Sequence, residues 1–133
     1  MISLIIVTHG PLSKSLVDSA KIISGDFTNV STFSLNPGDN IGDFEKEVLE
    51  RIAKESRTSQ VLVLTDIPGG SPTNISAIAL QELDFECLTG VNLPMVLEAI
   101  LTKDSVLDFE QYVQQVMDAG KNSILNLKQL VAF

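Results

Sequence analysis

His9 is the only histidine of the chain and the first residue with the chemistry of a nucleophile. It lies in the segment Thr8-His9-Gly10-Pro11, after an apolar run and before a helical pattern in which Pro11 fits the first position. A helix amino end carries partial positive charge and free N–H groups, which stabilise a nearby anion. A neutral imidazole beside an anion site is what a phosphoryl-accepting nucleophile requires, although a lone histidine is more often structural or merely exposed.

Asp66 opens a second polar segment directly after another apolar run. A carboxylate that accepts a hydrogen bond from one ring nitrogen fixes the histidine tautomer and leaves the lone pair of the other nitrogen free. It also stabilises the positive charge of a ring that carries a phosphoryl group. The other interpretation is a turn or helix cap, a common role for an Asp followed by Pro and Gly. The residues alone leave both roles open.

The sequence Gly69-Gly70-Ser71-Pro72 combines a flexible turn with Ser71 as an N-cap and Pro72 at the first helical position. It is either a well-formed helix start or a phosphate cradle, in which backbone N–H groups and the Ser71 hydroxyl donate hydrogen bonds. The segment lacks the Gly-Lys-Ser/Thr of a P-loop and the Gly-x-Gly-x-x-Gly fingerprint, which argues against nucleotide binding.

The order of the elements indicates how these segments are positioned. Apolar runs alternate with amphipathic helical patterns, which predicts a doubly wound α/β fold whose mainly parallel sheet has helices on both faces. The segments after the first, third and fourth strands, the last being Gly90–Pro94, then meet at one sheet edge. Strands are predicted over 2–7, 30–35, 60–65 and 85–89, and helices over 12–24, 41–52, 72–82, 94–101 and 109–120.

The carboxyl-terminal segment Ile124–Val131 is ambiguous, because it alternates weakly like a strand and could also continue a helix. It is apolar enough to need burial, and the flat edge of a four-stranded sheet needs a cover. A short terminal strand, added antiparallel at that edge, would satisfy both needs. We therefore expect about four parallel strands and one antiparallel strand.

Composition bounds the class of protein. The 133 residues, 44% of them hydrophobic, fit one domain over 1–133. The single cysteine, Cys87, cannot form an internal disulfide, which favours a cytoplasmic location. No apolar run approaches the roughly 20 residues of a membrane span, and Met1–Val7 lacks the basic flank of a signal peptide. A formal net charge of −8 argues against nucleic acid as a partner.

Three motifs together resemble the enzyme IIA domain of the mannose-type (mannose/fructose/sorbose) phosphoenolpyruvate-dependent sugar phosphotransferase system. Thr-His-Gly follows the first predicted strand, and Asp-x-x-Gly-Gly-Ser-Pro-x-Asn follows the third. Gly-Val-Asn-Leu-Pro-Met follows the fourth. Their order and spacing cover residues 1–95, and the predicted helix over 109–120 agrees with the layout of the family.

The resemblance implies a phosphohistidine carrier without cofactor or metal. The carrier protein HPr would donate a phosphoryl group to His9, and a IIB component would accept it for the membrane subunits IIC and IID. Asp66 matches the residue that hydrogen-bonds and orients the histidine. The phosphoryl group would be bound by Thr8, Gly10, Gly69, Gly70 and Ser71, with Asn74 and Asn92 at the rim of the site. The family also implies a homodimer in which the last strand is exchanged between subunits.

Two other functions remain open at this point. An anion- or small-molecule-binding regulatory module would use His9 and Ser71 to hold a ligand without transfer. A phosphohydrolase with His9 as nucleophile is less favoured, because no second base or metal site is visible that could activate water. One histidine and one cysteine cannot supply a zinc site of ordinary composition.

Overall fold

A single parallel sheet forms the centre of the molecule. The computed structural model describes residues 1–131. The strands of its sheet are all parallel. The central strands are nearly continuous runs of Ile, Leu and Val, as expected for strands that are covered on both faces. The strands are β1 (Ile2–His9), β2 (Val30–Leu35), β3 (Gln60–Thr65) and β4 (Glu86–Leu88). Their order in the sheet is β2-β1-β3-β4.

Helices cover both faces of the sheet, which confirms the predicted doubly wound α/β class. On one face, α1 (Leu12–Ser24), α4 (Leu93–Thr102) and α5 (Phe109–Asn122) pack on every second residue of β1 and β3. On the other face, α2 (Ile41–Ser56) and α3 (Ser71–Ala79) pack on the intervening residues. Because strand side chains alternate between faces, the same two apolar strands supply both cores.

The strand order reverses between β1 and β3, and this reversal positions the polar segments. The chain leaves β1 for β2 on one side, whereas it leaves β3 for β4 on the other. Such a switch point leaves a crevice outside the carboxyl ends of the two central strands, where open α/β sheets bind ligands. Val7 pairs with Thr65 in register. His9 and Asp66 therefore lie side by side at this crevice.

Several elements differ from their predicted bounds by a few residues. The first strand extends through His9, so that the histidine ends the strand and does not follow it. Helix α3 begins one residue earlier than predicted and ends at Ala79, and residues 80–83 continue as turns. Strand β4 is only three residues long, against five predicted. Within residues 1–131, no helix is long and apolar enough to cross a membrane.

The carboxyl-terminal segment departs from its prediction. The sequence predicts an antiparallel strand within Ile124–Val131, but Leu127–Leu130 form a short helix, α6. Its hydrogen bonds are closed locally, because the Asn126 carbonyl accepts from the N–H groups of Gln129 and Leu130. These N–H groups thereby have hydrogen-bond partners without a neighbouring strand. The apolar side chains of the segment stay exposed. The prediction of a fifth strand is wrong.

Candidate active site at the switch point

The imidazole of His9 and the carboxylate of Asp66 form a direct hydrogen bond at the switch point. The distance between Nδ1 of His9 and Oδ2 of Asp66 is 2.7 Å. The first seven residues of β1 are buried and His9 is exposed, so the strand delivers the ring to the surface. The His9 side chain is 47% exposed, whereas that of Asp66 is 10% exposed. The carboxylate thus binds the Nδ1 edge of the ring, and about half of the His9 side chain faces solvent.

Asp66 is held in its charged form by three hydrogen bonds. Oδ2 also accepts from the backbone N–H of His9 at 2.8 Å, and Oδ1 accepts from the backbone N–H of Ile67 at 2.9 Å. Burial acts to raise the pKa of Asp66, but the hydrogen bonds from His9 and Ile67 outweigh it, and the pKa lies below its usual range. An ionised carboxylate has no proton to donate. Nδ1 of His9 therefore carries a proton, and in the neutral ring Nε2 is the nitrogen with the lone pair.

Gly70 lies directly against the imidazole. A Cβ atom at residue 70 would be 2.8 Å from Cε1 and 3.5 Å from Nε2 of His9. Gly69 and Gly10 have a different role, because their φ angles of 83° and 57° are in the left-handed region that favours glycine. The backbone N–H of Gly10 also donates to the carbonyl of Leu35 at 2.8 Å. The glycines thus bring the backbone close to the ring.

At both helix starts the predicted role of one residue is shifted by one position. Pro11 is the N-cap of α1 and not its first residue. Gly70 is the N-cap of α3, with Ser71 as the first helical residue and Pro72 after it. The predicted N-cap role of Ser71 is therefore wrong, and its hydroxyl is not used to cap the helix. The amino end of α3, with its free N–H groups, begins at the residue that touches the ring.

The remaining predicted site residues fall into two groups. Thr8 is fully buried, and its hydroxyl oxygen accepts from the backbone N–H of Ser13 at 2.8 Å, so that it anchors the start of α1. Asn74 is exposed and donates to the carbonyl of Gly69 at 3.4 Å. Asn92 caps α4 by accepting from Met95 at 3.0 Å. The structure brings Asn74 to the loop beside His9, whereas the contacts of Asn92 lie within α4 and α5.

Two threonines that the sequence analysis missed lie behind this loop. The hydroxyls of Thr65, at the end of β3, and Thr73, in the first turn of α3, are 2.8 Å apart. Thr73 also donates to the carbonyl of Ile67. The only signal in the sequence is that the variable position of the motif, between Pro72 and Asn74, has a hydroxyl side chain. That signal does not tell whether the hydroxyl makes a contact or is merely exposed.

Other features of the described residues do not add to this site. Burial raises the pKa of the Cys87 thiol to about 11. A cavity of about 840 Å³ lies at the opposite end of the sheet and is lined by residues such as Gln60 and Glu86. Residues 1–131 contain no cluster of three or more His, Cys, Asp or Glu side chains that could hold a metal ion. The chemistry of the switch point is that of one oriented imidazole.

Fold and site together define an α/β protein with a carboxylate-bound histidine at the switch point of a parallel sheet. The mannose-type EIIA family model, described as "PTS system fructose IIA component", matches residues 3–117. The chain belongs to this family. The resemblance found in the sequence motifs is thereby confirmed.

Individual relatives agree with this assignment. The chain is 31% identical over 128 residues to the "PTS system mannose-specific EIIAB component" of Escherichia coli (strain K12), with 96% of this chain and 40% of that protein covered. It thus spans about two fifths of the length of that relative. A PTS IIA protein associated with the fucose utilization operon of Streptococcus pneumoniae is 31% identical, with a TM-score of 0.85 and coverages of 97% and 95%. A phosphotransferase system component EIIA from Streptococcus agalactiae is 26% identical, with a TM-score of 0.87 and coverages of 97% and 99%.

Proposed function

We propose that this protein is a phosphohistidine carrier that accepts a phosphoryl group on Nε2 of His9 and passes it on. The observation that carries the proposal is the 2.7 Å hydrogen bond from Nδ1 to Asp66, which in the neutral form of this exposed ring places the lone pair on Nε2. A nucleophile needs this lone pair, and the fixed tautomer supplies it at one atom only. Asp66 orients His9 in this proposal and does not contact the phosphoryl group.

The transfer step needs no further base. The lone pair of Nε2 attacks phosphorus while the P–N bond of the donor phosphohistidine breaks, and the electron pair of that bond returns to the donor ring. The His9 ring then has a proton on Nδ1 and a phosphoryl group on Nε2, and is formally cationic. The Asp66 carboxylate stabilises this charge through the existing hydrogen bond. Since one imidazole replaces another, positioning and charge stabilisation are the main requirements.

The amino end of α3 supports the bound phosphoryl group. Gly70 is the N-cap of this helix, and a Cβ atom there would lie 3.5 Å from Nε2, so the helix begins close to Nε2. The N–H groups at the start of the helix and the Ser71 hydroxyl donate to the phosphoryl oxygens, in the manner of helix amino ends that bind phosphate. The positive φ of Gly69 and of Gly10 forms the turns on either side. Thr8 acts through the start of α1, and Asn74 acts through the loop of Gly69.

The partners follow from membership of the family, which implies interaction with other components of the system. HPr donates the phosphoryl group to His9, and a IIB component accepts it from His9 in the cytoplasm. Through the IIB component the protein is linked to the membrane subunits IIC and IID. Both partners must reach the same exposed ring, so they dock one after the other. We also propose a homodimer, in which the exposed apolar side chains around Leu127 and Leu130 are covered by the second copy.

The test is phosphorylation of the purified chain with phosphoenolpyruvate, enzyme I and HPr. A stable, acid-labile label on the wild type and none on His9→Ala is the expected result. Circular dichroism checks that the variant is folded, which we expect because the ring is exposed. Rapid release of free phosphate would instead identify a phosphohydrolase. No labelling at all would leave the anion-binding module as the function.

A further inference from the structure

The loop that carries Asp66 is fixed on its buried side by two threonine hydroxyls that take no part in the transfer step. Thr65 is fully buried at the end of β3, and its Oγ1 lies 2.8 Å from Oγ1 of Thr73. Thr73 in turn hydrogen-bonds the carbonyl oxygen of Ile67, the residue that follows Asp66. The hydroxyls thus connect a buried strand end, the first turn of α3 and the exposed loop between them.

Counting protons fixes the direction of these hydrogen bonds. A carbonyl oxygen can only accept, so the single hydroxyl proton of Thr73 is donated to Ile67. Thr65 must then donate its own proton to the Thr73 oxygen. The Ile67 backbone N–H donates to Oδ1 of Asp66, and Oδ2 of Asp66 accepts from Nδ1 of His9. A continuous series of contacts therefore runs from the core of the sheet to the reactive ring.

The backbone of Asp66 is also held by its own carbonyl oxygen, which accepts from the N–H of Gly90 at 3.0 Å, but the part of the loop that follows Asp66 depends on the Thr73 hydroxyl. Ile67 is 54% exposed, and Gly69 adds a backbone position with wide conformational freedom. The additional tether from Asn74 to the Gly69 carbonyl is long, at 3.4 Å. Loss of the Thr73 hydroxyl would leave the Ile67 carbonyl without its recorded partner, and this peptide group would be free to shift.

We propose that Thr73 is a positioning residue, whose hydroxyl fixes the Asp66 carboxylate and thereby the tautomer and direction of His9. The proposal rests on the proposed function for its consequence in transfer. Its structural content can be measured on the unphosphorylated protein, because His9 is the only histidine and its ring nitrogens give unambiguous ¹⁵N signals.

The experiment compares four proteins by the rate of phosphoryl acceptance from phospho-HPr and by the ¹⁵N shifts of the His9 ring. Thr73→Val keeps the shape and removes the hydroxyl, whereas Thr73→Ser keeps the hydroxyl. Thr102→Val is the matched control, because that hydroxyl also donates to a carbonyl, of Glu98, but within α4. We expect about a tenfold slower acceptance for Thr73→Val, with ring shifts moved towards a mixture of tautomers. Thr73→Ser and Thr102→Val should match the wild type in both.

Wild-type ring shifts and wild-type acceptance in Thr73→Val would overturn the proposal. Equal behaviour of the Val and Ser variants would overturn it as well, because retention of the hydroxyl would then make no difference. If Thr73→Val does not fold, Thr73→Ser against Thr73→Ala makes the same comparison. If the wild type accepts no phosphate, the proposed function fails, while the ring shifts still decide the role of Thr73.

Discussion

The ring of His9 lies so close to Gly70 that a methyl group on residue 70 would be 2.8 Å from Cε1. The backbone of Gly70, with φ −84° and ψ 167°, is in the extended region that any residue can adopt. Glycine is therefore required here for space and not for conformation. Asp66 holds one edge of the ring through Nδ1, and Gly70 is the surface against which the ring rests. Together they define where Nε2 points.

Gly70→Ala should displace the His9 ring, because the new Cβ and the ring cannot occupy the observed positions. We expect phosphoryl acceptance to fall about tenfold or more, since a misplacement of about 1 Å can have such an effect. Unfolding by denaturant should show a change in stability too small to explain that loss. Gly42→Ala, within α2, is the control that should transfer at the wild-type rate. An unimpaired Gly70→Ala would show that the ring can rest elsewhere.

Asp66→Asn should slow transfer in both directions without abolishing it. The amide keeps the shape, but it no longer stabilises the cationic phosphorylated ring, and it can present its NH₂ group to Nδ1 and favour the wrong tautomer. We expect rates about 10- to 100-fold lower, as for other partners that orient a reactive histidine. Rapid-quench measurements with phospho-HPr and with a IIB component would give both directions. Unchanged rates would mean that Asp66 is only a turn residue.

The same carboxylate should make stability depend on acid pH. Because hydrogen bonds lower the pKa of Asp66 in the folded protein, the unfolded chain takes up this proton more readily. The stabilisation is present above the ordinary carboxyl pKa of about 3.9, and it is lost as the pH falls through the lower folded value. Thermal unfolding between neutral and acid pH should therefore show a smaller loss for Asp66→Asn than for the wild type. Parallel curves would contradict this.

Ser71→Ala should separate phosphate binding from helix capping. Since Gly70 is the N-cap of α3, removal of the Ser71 hydroxyl should change the free energy of unfolding by no more than about 0.5 kcal/mol. Loss of a donor to a charged phosphoryl oxygen should nevertheless shorten the lifetime of phospho-His9 or slow its transfer, by about tenfold. Ser19→Ala on the exposed side of α1 is the matched control. A destabilised variant with normal transfer would mean that the Ser71 hydroxyl serves stability and not phosphate binding.

That the segments of His9 and Asp66 meet at one sheet edge could be predicted from the sequence, because it depends only on coarse rules. Apolar runs define the strands, parallel strands share one carboxyl edge, and the polar residues directly follow the runs. The register of Val7 with Thr65 then brings the two side chains within hydrogen-bond distance. None of these steps requires the path of a loop to be known.

The features that could not be predicted depend on local geometry. Pro11 is an N-cap where the first helical position is predicted, and Gly70 is the N-cap in place of Ser71, because cap positions are set by backbone angles that the residue types do not determine. The contact between Thr65 and Thr73 joins two elements through the path of the loop between them. The strand prediction for the segment around Leu127 is wrong, because the weak alternation of its apolar residues is compatible with the periodicity of a strand and with that of a helix.

The exposed carboxyl-terminal segment should be the contact between two copies of the chain. Both core clusters end before this segment, while five of its apolar side chains are between 47% and 82% exposed: Ile124, Leu125, Leu127, Leu130 and Val131. A patch of this kind is typical of an interface. Light scattering at micromolar concentration should give twice the chain mass for the wild type and a folded monomer for the double variant Leu127→Lys with Leu130→Lys. Ile22→Lys, at a position 87% exposed on α1, should remain dimeric. A monomeric wild type would refute the dimer, and a dimeric double variant would place its interface elsewhere.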